Sequence, residues 1–442
     1  MTKQTDHLRI HRLFITIALI ILASLKVATT AAYGNDNENT PDIINIPLTN
    51  HSVPLIAKSN SHHVNVYVGS PPQRRLVIVD TGSRYLAFPC KPCRSCGIKH
   101  FSKEYFDPEY STTDLNNQCY DGHGHGLGHI NECVFHQESH GNNCENDKCT
   151  FSQHFQEGSA LQGFEVEDIV WLGTDNVEQS IKCHMQTAVP LSFGCESHET
   201  GIVASQYADG IMGLISYQQE NIVDVMYKSG VISNHAFSLC FTKDGGVFSL
   251  GGTSLVKHHM EPMQMEPLIS SLYYTVSVKA FHVGVIEIGM ETPGLVANAF
   301  NIRKGTIIDS GTTDTYLPLS LKNEFEKAWT DLSNGGNKRH SNKIQSFTFE
   351  QFQLLPNVTI VLSGGYRWVI EPHAYMDEIT PKRDTGDFVD TRNGWSGVAR
   401  FVNRLYIDEQ GGAVMGSNAM VGHDVLFDIK HRTVGIAKAN CR

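Results

Sequence analysis

Two short segments place an aspartate in the same setting. Val79-Asp80-Thr81-Gly82-Ser83 and Ile308-Asp309-Ser310-Gly311-Thr312 each put the acid after a β-branched run, with a hydroxyl residue on either side of a glycine behind it. An Asp so placed sits on a tight turn at the end of a buried strand. Its glycine permits close backbone approach, and its hydroxyls can bond the carboxylate or a facing loop. One such loop is a common turn; two, in corresponding places, let the carboxylates approach each other. Like charges a few Å apart cannot both ionise, so the pair shares one proton and titrates as a unit. The ionised member takes a proton from a bound water as that water attacks a peptide carbonyl, and the protonated member polarises the carbonyl. Asp80 and Asp309 are therefore the expected catalytic residues, with no metal, cofactor or covalent intermediate required.

The elements that must hold these loops read as mostly β. His63-Val64-Asn65-Val66-Tyr67-Val68 alternates, Gly69-Ser70-Pro71-Pro72 turns, and Leu76–Val79 reads as a buried strand. Gly246–Gly252 and Tyr274–Val278 repeat the style, while helical pattern is confined to Asn221–Gly230 and Leu319–Leu332. The sequence also repeats itself weakly. Ile211-Met212-Gly213 follows the first aspartate by 133 residues at its glycine, and Val414-Met415-Gly416 follows the second by 107. Two halves with the same two marks in the same order predict a duplicated lobe. The expected division is a signal peptide over 1–32, a short N-terminal segment over 33–60, an N-terminal lobe over 61–255 and a C-terminal lobe over 256–442.

Both aspartate loops and both apolar-apolar-glycine marks resemble the pepsin family, matched in order across residues 61 to 441. The resemblance implies an all-β, bilobal fold with an extended peptide lying in the cleft between duplicated lobes. It implies that Thr81 and Ser310 lock the two loops and that Ser83 and Thr312 bond the outer carboxylate oxygens. Gly82, Gly311 and Thr313 then also border the substrate. The family carries a β-hairpin flap with an aromatic before a Gly-Ser turn, and Phe155-Gln156-Glu157-Gly158-Ser159 fits it. Most members have Tyr where this chain has Phe155, hydrogen-bonded to a Trp where this chain has Ala87. Both partners of that bond are absent together, which orphans no polar group, and an apolar ring still covers substrate.

The chain has 11 cysteines, and Cys90, Cys93, Cys96, Cys119, Cys133, Cys144 and Cys149 fall within one sixty-residue stretch. In an oxidising compartment this reads as a local disulfide framework, with the odd total leaving at least one thiol over. Zinc ligation by Cys90-x2-Cys93-x2-Cys96 is the disfavoured alternative. The cluster resembles the nepenthesin-like insertion of plasmepsin V-type protist enzymes. That likeness implies that the acids Glu157 and Glu196 hold a basic substrate side chain a few residues before the cut, while Cys240 and Cys441 resemble the pair that ties the lobes in memapsin-like relatives. His123, His125, His129, His136 and His140 lie among glycines and read as a surface loop rather than a metal site.

At 442 residues with a net charge of −11, the chain can build two domains and lacks the basic face that nucleic acid wants. Lys3, Arg9 and Arg12 precede the apolar run Leu13–Leu25 and a small-residue stretch, the pattern of a secretory signal peptide. Membrane attachment is expected only if that segment stays uncleaved. Asn50 and Asn357 begin glycosylation sequons, consistent with the same route. Secretion or residence in the endoplasmic reticulum lumen or a vacuole, a monomeric state and polypeptide substrates are expected. The rival reading is a catalytically silent, pepsin-like protein that binds a peptide or inhibitor; silent relatives typically lose an Asp, and both are present here.

Overall fold

The computed structural model describes residues 52–114, 144–145, 148–178, 180–181, 187–215, 220–332, 339–379, 395 and 397–442. The expected signal peptide over 1–32, Asn50, Cys119, Cys133, Cys183 and the His-rich tract lie outside them.

The alternating segment near the start forms the strand Ser61–Val68, paired with Ser52–Lys58 on one side and Gln73–Asp80 on the other. It is buried on both faces, so its polar residues need partners. Tyr67 donates its hydroxyl to the Thr174 carbonyl and the Asn65 amide donates to Asp175. The reversal between the second and third strands takes Gly69 to φ +76°, where a side chain would also strike Ser111 and Asp168.

Among the described residues one sheet has fourteen strands and draws on both halves of the chain. Ala236–Thr242 pairs with Gly245–Leu250 on one edge and with His423–Asp428, near the C-terminus, on the other. Cys240 in that strand is bonded to Cys441. The apolar core is likewise continuous, and Trp329 and Trp368 are fully buried in it.

Each half contains the same four-strand arrangement around its aspartate. In the first, Gln73–Asp80 runs parallel to Gly210–Gly213, which is antiparallel to Leu86–Pro89, which is parallel to Val189–Thr200. In the second, Thr306–Ile308 runs parallel to Ala413–Met415, which meets Thr315–Pro318 antiparallel, which is parallel to Leu405–Glu409. The apolar-apolar-glycine marks are thus the strands that thread between each aspartate strand and its return. Gly213 ends the first of those strands and Gly416 directly follows the second, and a side chain at either would collide with backbone of the returning loop, Arg84–Tyr85 or Thr312–Asp314.

The two helical segments are present and shorter than their sequence pattern. Ile222–Lys228 starts at Asn221, whose side chain caps Val223 and Asp224 N–H groups while Asp224 bonds back to Asn221. Leu319–Leu321 is a 3₁₀ turn leading into Lys322–Leu332, which buries Phe325, Ala328 and Trp329 on one face.

Candidate active site

The two aspartate loops are fastened to each other by four buried hydrogen bonds. Thr81 N–H donates to Ser310 Oγ at 3.0 Å, and Ser310 N–H donates to Thr81 Oγ1 at 2.9 Å. Each hydroxyl then donates to the strand behind the opposite loop, Thr81 to the Ile308 carbonyl at 3.0 Å and Ser310 to the Val79 carbonyl at 2.7 Å. Each hydroxyl therefore both donates and accepts, and the two loops have little freedom to move apart. A Cβ on Gly82 would lie 2.6 Å from both Asp309 carboxylate oxygens, and one on Gly311 would overlap the Asp80 carboxylate. These glycines are what admits the two acids to one place.

The carboxylates lie close enough for each to act on the other, and they are unequally supported. Asp309 accepts from Gly311 N–H at 3.0 Å, Thr312 N–H at 3.2 Å and Thr312 Oγ1 at 2.7 Å. Asp80 accepts from Gly82 N–H at 2.7 Å. The Ser83 hydroxyl lies close enough to favour ionisation of Asp80, yet it has no well-aligned partner. Burial, followed by the charge of Asp309, raises the Asp80 carboxyl to about 7. Three donor contacts thus face Asp309, and one backbone donor faces Asp80, the carboxyl that is raised.

The flap is the hairpin of Lys148–His154 and Ala160–Gly173. Its tip closes through Phe155 N–H to Ser159 C=O at 2.9 Å and Gly158 N–H to Phe155 C=O at 3.0 Å, with Gly158 at φ +94°. Phe155 packs with Tyr85 against the cluster of Ala87, Phe151, Leu161, Val203 and Ile211. An apolar contact thus replaces the Tyr–Trp hydrogen bond that most of the resembled family carries. Glu157 and Gly158 are exposed at the tip. Ser159 is instead buried and its hydroxyl accepts from Ile202 N–H at 2.9 Å, so it ties the flap turn to Ile202. Thr313 serves the loop through its carbonyl, which accepts from Asn418 N–H.

Glu196 does not share the flap's exposure. It is 1% exposed on the strand Val189–Thr200, beneath the segment Cys93–Gly97, and is pushed well above the carboxylate range by burial and by Glu199. Glu199, three residues on, is lowered: burial opposes its charge, but hydrogen bonds from His100 and Gly97 N–H outweigh burial. A group desolvated in this way is not displayed to a substrate.

Cys90 is bonded to Cys195, outside the dense cluster and 105 residues away, while Cys93 and Cys96 pair with each other. Cys149 is also disulfide-bonded and lies opposite Cys144 in a short hairpin. Reading the disulfides from the cluster alone leaves out Cys195. An odd seven cysteines in the cluster already require one of them to bond elsewhere or stay free, and that is the available signal. Among the described residues no group of three or more His, Cys, Asp or Glu is placed to hold a metal ion. No helix among them is long and apolar enough to cross a membrane.

Residues 62–252 match the family model described as xylanase inhibitor N-terminal, and residues 273–438 match xylanase inhibitor C-terminal. With two duplicated aspartate loops meeting between the halves, the chain belongs to the pepsin-like aspartic proteases and has their bilobal fold. It is similar to aspartic protease 5 of Toxoplasma gondii, with 32% identity over 208 residues covering 43% of this chain and 19% of that protein. Plasmepsin V of Plasmodium falciparum is 30% identical over 194 residues, covering 43% of this chain and 29% of that protein. Aspartic proteinase 36 of Arabidopsis thaliana is 26% identical over 419 residues, covering 89% and 78%. The chain thus aligns with less than a third of the length of the two protist relatives.

Proposed function

We propose that the chain is an aspartic endopeptidase in which Asp80 and Asp309 activate a water between them. The reciprocal bonding of Thr81 and Ser310, which holds the two acids together, is the observation that carries this reading. Asp309, supported by three donors, acts as the base that takes a proton from the attacking water. Asp80, which holds the shared proton, donates to the peptide carbonyl and stabilises the developing oxyanion. Phe155 covers the bound peptide from the flap and excludes water. Named relatives that are aspartic proteases or proteinases support the same assignment.

The substrates we infer are proteins of the secretory pathway, as the leader-like N-terminus and the disulfides suggest. A preference for Arg or Lys a few residues before the cut rests on Glu157 alone, since Glu196 is buried. The rival, a silent binding protein, finds its support in the inhibitor descriptions of the matching family models and in the Phe155 and Ala87 departures. The intact dyad weighs against it.

Purified chain is offered a peptide pool and denatured protein from pH 3 to 7, beside its Asp80→Asn variant. Cleavage by the unaltered chain alone is expected; equal cleavage by both, or none by either, defeats the enzymatic reading. Profiling the cut sites in the same pool tests the basic preference, which fails if Arg and Lys are not enriched upstream.

A further inference from the structure

The surface beside the flap turn is cationic on a chain that is acidic as a whole. Residues 91–103 carry Lys91, Arg94, Lys99 and Lys103 and no acid, although the net charge of the chain is −11. Residues 195–206 lie against them, through Arg94 N–H to the Ser197 carbonyl and Glu199 N–H to the Ser95 carbonyl. That stretch carries two acids, and both are buried: Glu196 is 1% exposed and Glu199 is 4% exposed. All four cations are exposed. Lys91 meets Asp107 at 3.3 Å, but the side chains of Arg94, Lys99 and Lys103 have no carboxylate partner among the described residues. Glu104 and, at the flap tip, Glu157 are the exposed acids at its border.

Ile98 stands between Arg94 and Lys99 and is 93% exposed, the most of any large apolar residue among those described. Ile202, 61% exposed, comes from the facing stretch. The two stretches touch closely there, since a Cβ on Gly97 would lie 2.1 Å from the Ala204 carbonyl oxygen. The turn that carries Ile98 is held on both sides. Before it, Cys93 is bonded to Cys96, and Gly97 donates its N–H to the Glu199 carboxylate at 2.7 Å and accepts from the Tyr105 hydroxyl at 3.1 Å. After it, buried His100 is bonded through both ring nitrogens, to the Ala208 carbonyl at 2.7 Å and to Glu199 at 3.0 Å. An exposed apolar residue is ordinary by itself. One that projects from a braced turn among unpaired cations matches a lipid interface, where apolar groups enter the acyl boundary and cations meet anionic headgroups. A peptide groove would instead enclose it.

We propose that this face docks the protein on an anionic lipid surface. Ile98 enters the headgroup boundary with Ile202 beside it, and Arg94, Lys99 and Lys103 lie against the lipid charges. The cationic contribution is screened by salt, whereas the apolar one is not. Because Ile202 N–H donates to Ser159 in the flap turn at 2.9 Å, the docked face adjoins the flap. Docking uses neither Asp80 nor Asp309, so it is measured apart from cleavage and does not rest on the peptidase reading.

The chain as secreted by its host is mixed with vesicles of phosphatidylcholine, either alone or with about a third phosphatidylserine, and the bound fraction is read by sedimentation. Binding to the anionic vesicles is expected to be at least about tenfold tighter than to the neutral ones, and to weaken as salt is raised. Ile98→Asp, and separately Arg94→Glu combined with Lys99→Glu, are each expected to weaken it by at least about tenfold. Val285→Asp, which changes an apolar residue 89% exposed in the other half, is expected to leave it unchanged. An unchanged melting temperature certifies that these exposed-site variants are folded. Equal binding to both kinds of vesicle, or no loss in the Ile98 and Arg94/Lys99 variants, overturns the proposal. Ile98→Trp reports insertion directly: a blue-shifted emission on anionic vesicles is expected, and an unshifted spectrum from bound protein overturns the entry of Ile98. Polyglutamate that binds as tightly as the anionic vesicles, with Ile98→Asp making no difference, would assign the face to an acidic polypeptide and overturn the lipid reading.

Discussion

Replacing Asp80 by Asn makes a quantitative test of how the dyad holds its proton. The Asp80 carboxyl is raised from 3.8 to about 7, by burial first and by Asp309 second. Between those values the native chain keeps a proton that the unfolded chain has lost. Its stability contribution is therefore complete below the unfolded pKa and disappears as pH rises through about 7. At about 1.4 kcal/mol per pH unit, a shift of about three units amounts to roughly 4 kcal/mol. The amide of the variant carries no titrating proton, so the variant lacks this decline. Other groups titrate in the same window and in opposite senses. Buried His62, His63 and His423, lowered to about 4 chiefly by burial, add stability as pH rises from there towards their ordinary range. Asp314, raised to about 6 by burial, removes stability as pH rises through that value. These contributions are common to both proteins and cancel when one curve is subtracted from the other.

The assay is unfolding by urea, followed by tryptophan fluorescence at steps from pH 4 to pH 8, with short incubations that limit self-digestion. The difference in unfolding free energy, variant minus unaltered chain, is expected to grow by roughly 4 kcal/mol across that range, with most of the growth below pH 7. Parallel curves would refute the argument, because they would mean that Asp80 is ionised in the native protein at pH 4 or that the pair shares no proton.

Two further substitutions test the parts around the dyad. Ser310→Ala removes an acceptor from the buried Thr81 N–H and a donor from the Val79 carbonyl; we expect a loss of about 1–3 kcal/mol in unfolding free energy and a fall in peptide cleavage, read on the same samples. Ala87→Trp, which restores the family's usual residue, is expected to lower the melting temperature rather than raise activity. Ala87 is 1% exposed and enclosed by Phe151, Leu161, Val203 and Ile211, and overpacking of this kind costs about 1–3 kcal/mol. A more active and equally stable Trp variant would show that the cluster has room that the packing does not reveal.

What could be read from sequence follows from the range of the forces involved. The dyad was legible because its requirements are local and are stated twice: an acid, a hydroxyl and a glycine that admits the opposite carboxylate, each after a β-branched strand. The paired marks at Gly213 and Gly416 were legible for the same reason, since only glycine fits where each strand passes behind a loop. Side-chain partners chosen across a sheet were not. Ser159 and Glu157 stand two residues apart in one turn, and nothing in their types tells that one is buried against Ile202 and the other exposed. Cys195 and Glu196 are sequence neighbours on one strand, and one side chain is bonded to Cys90 while the other is buried against Glu199. The bulge opposite Gln162 and Gly163 shifts the register at that point, so counting by twos from the flap does not recover the facing of Glu196 and Glu199. A buried carboxyl written as a substrate contact is therefore the error to expect wherever a charged residue follows a cysteine on a strand whose register is set by a bulge.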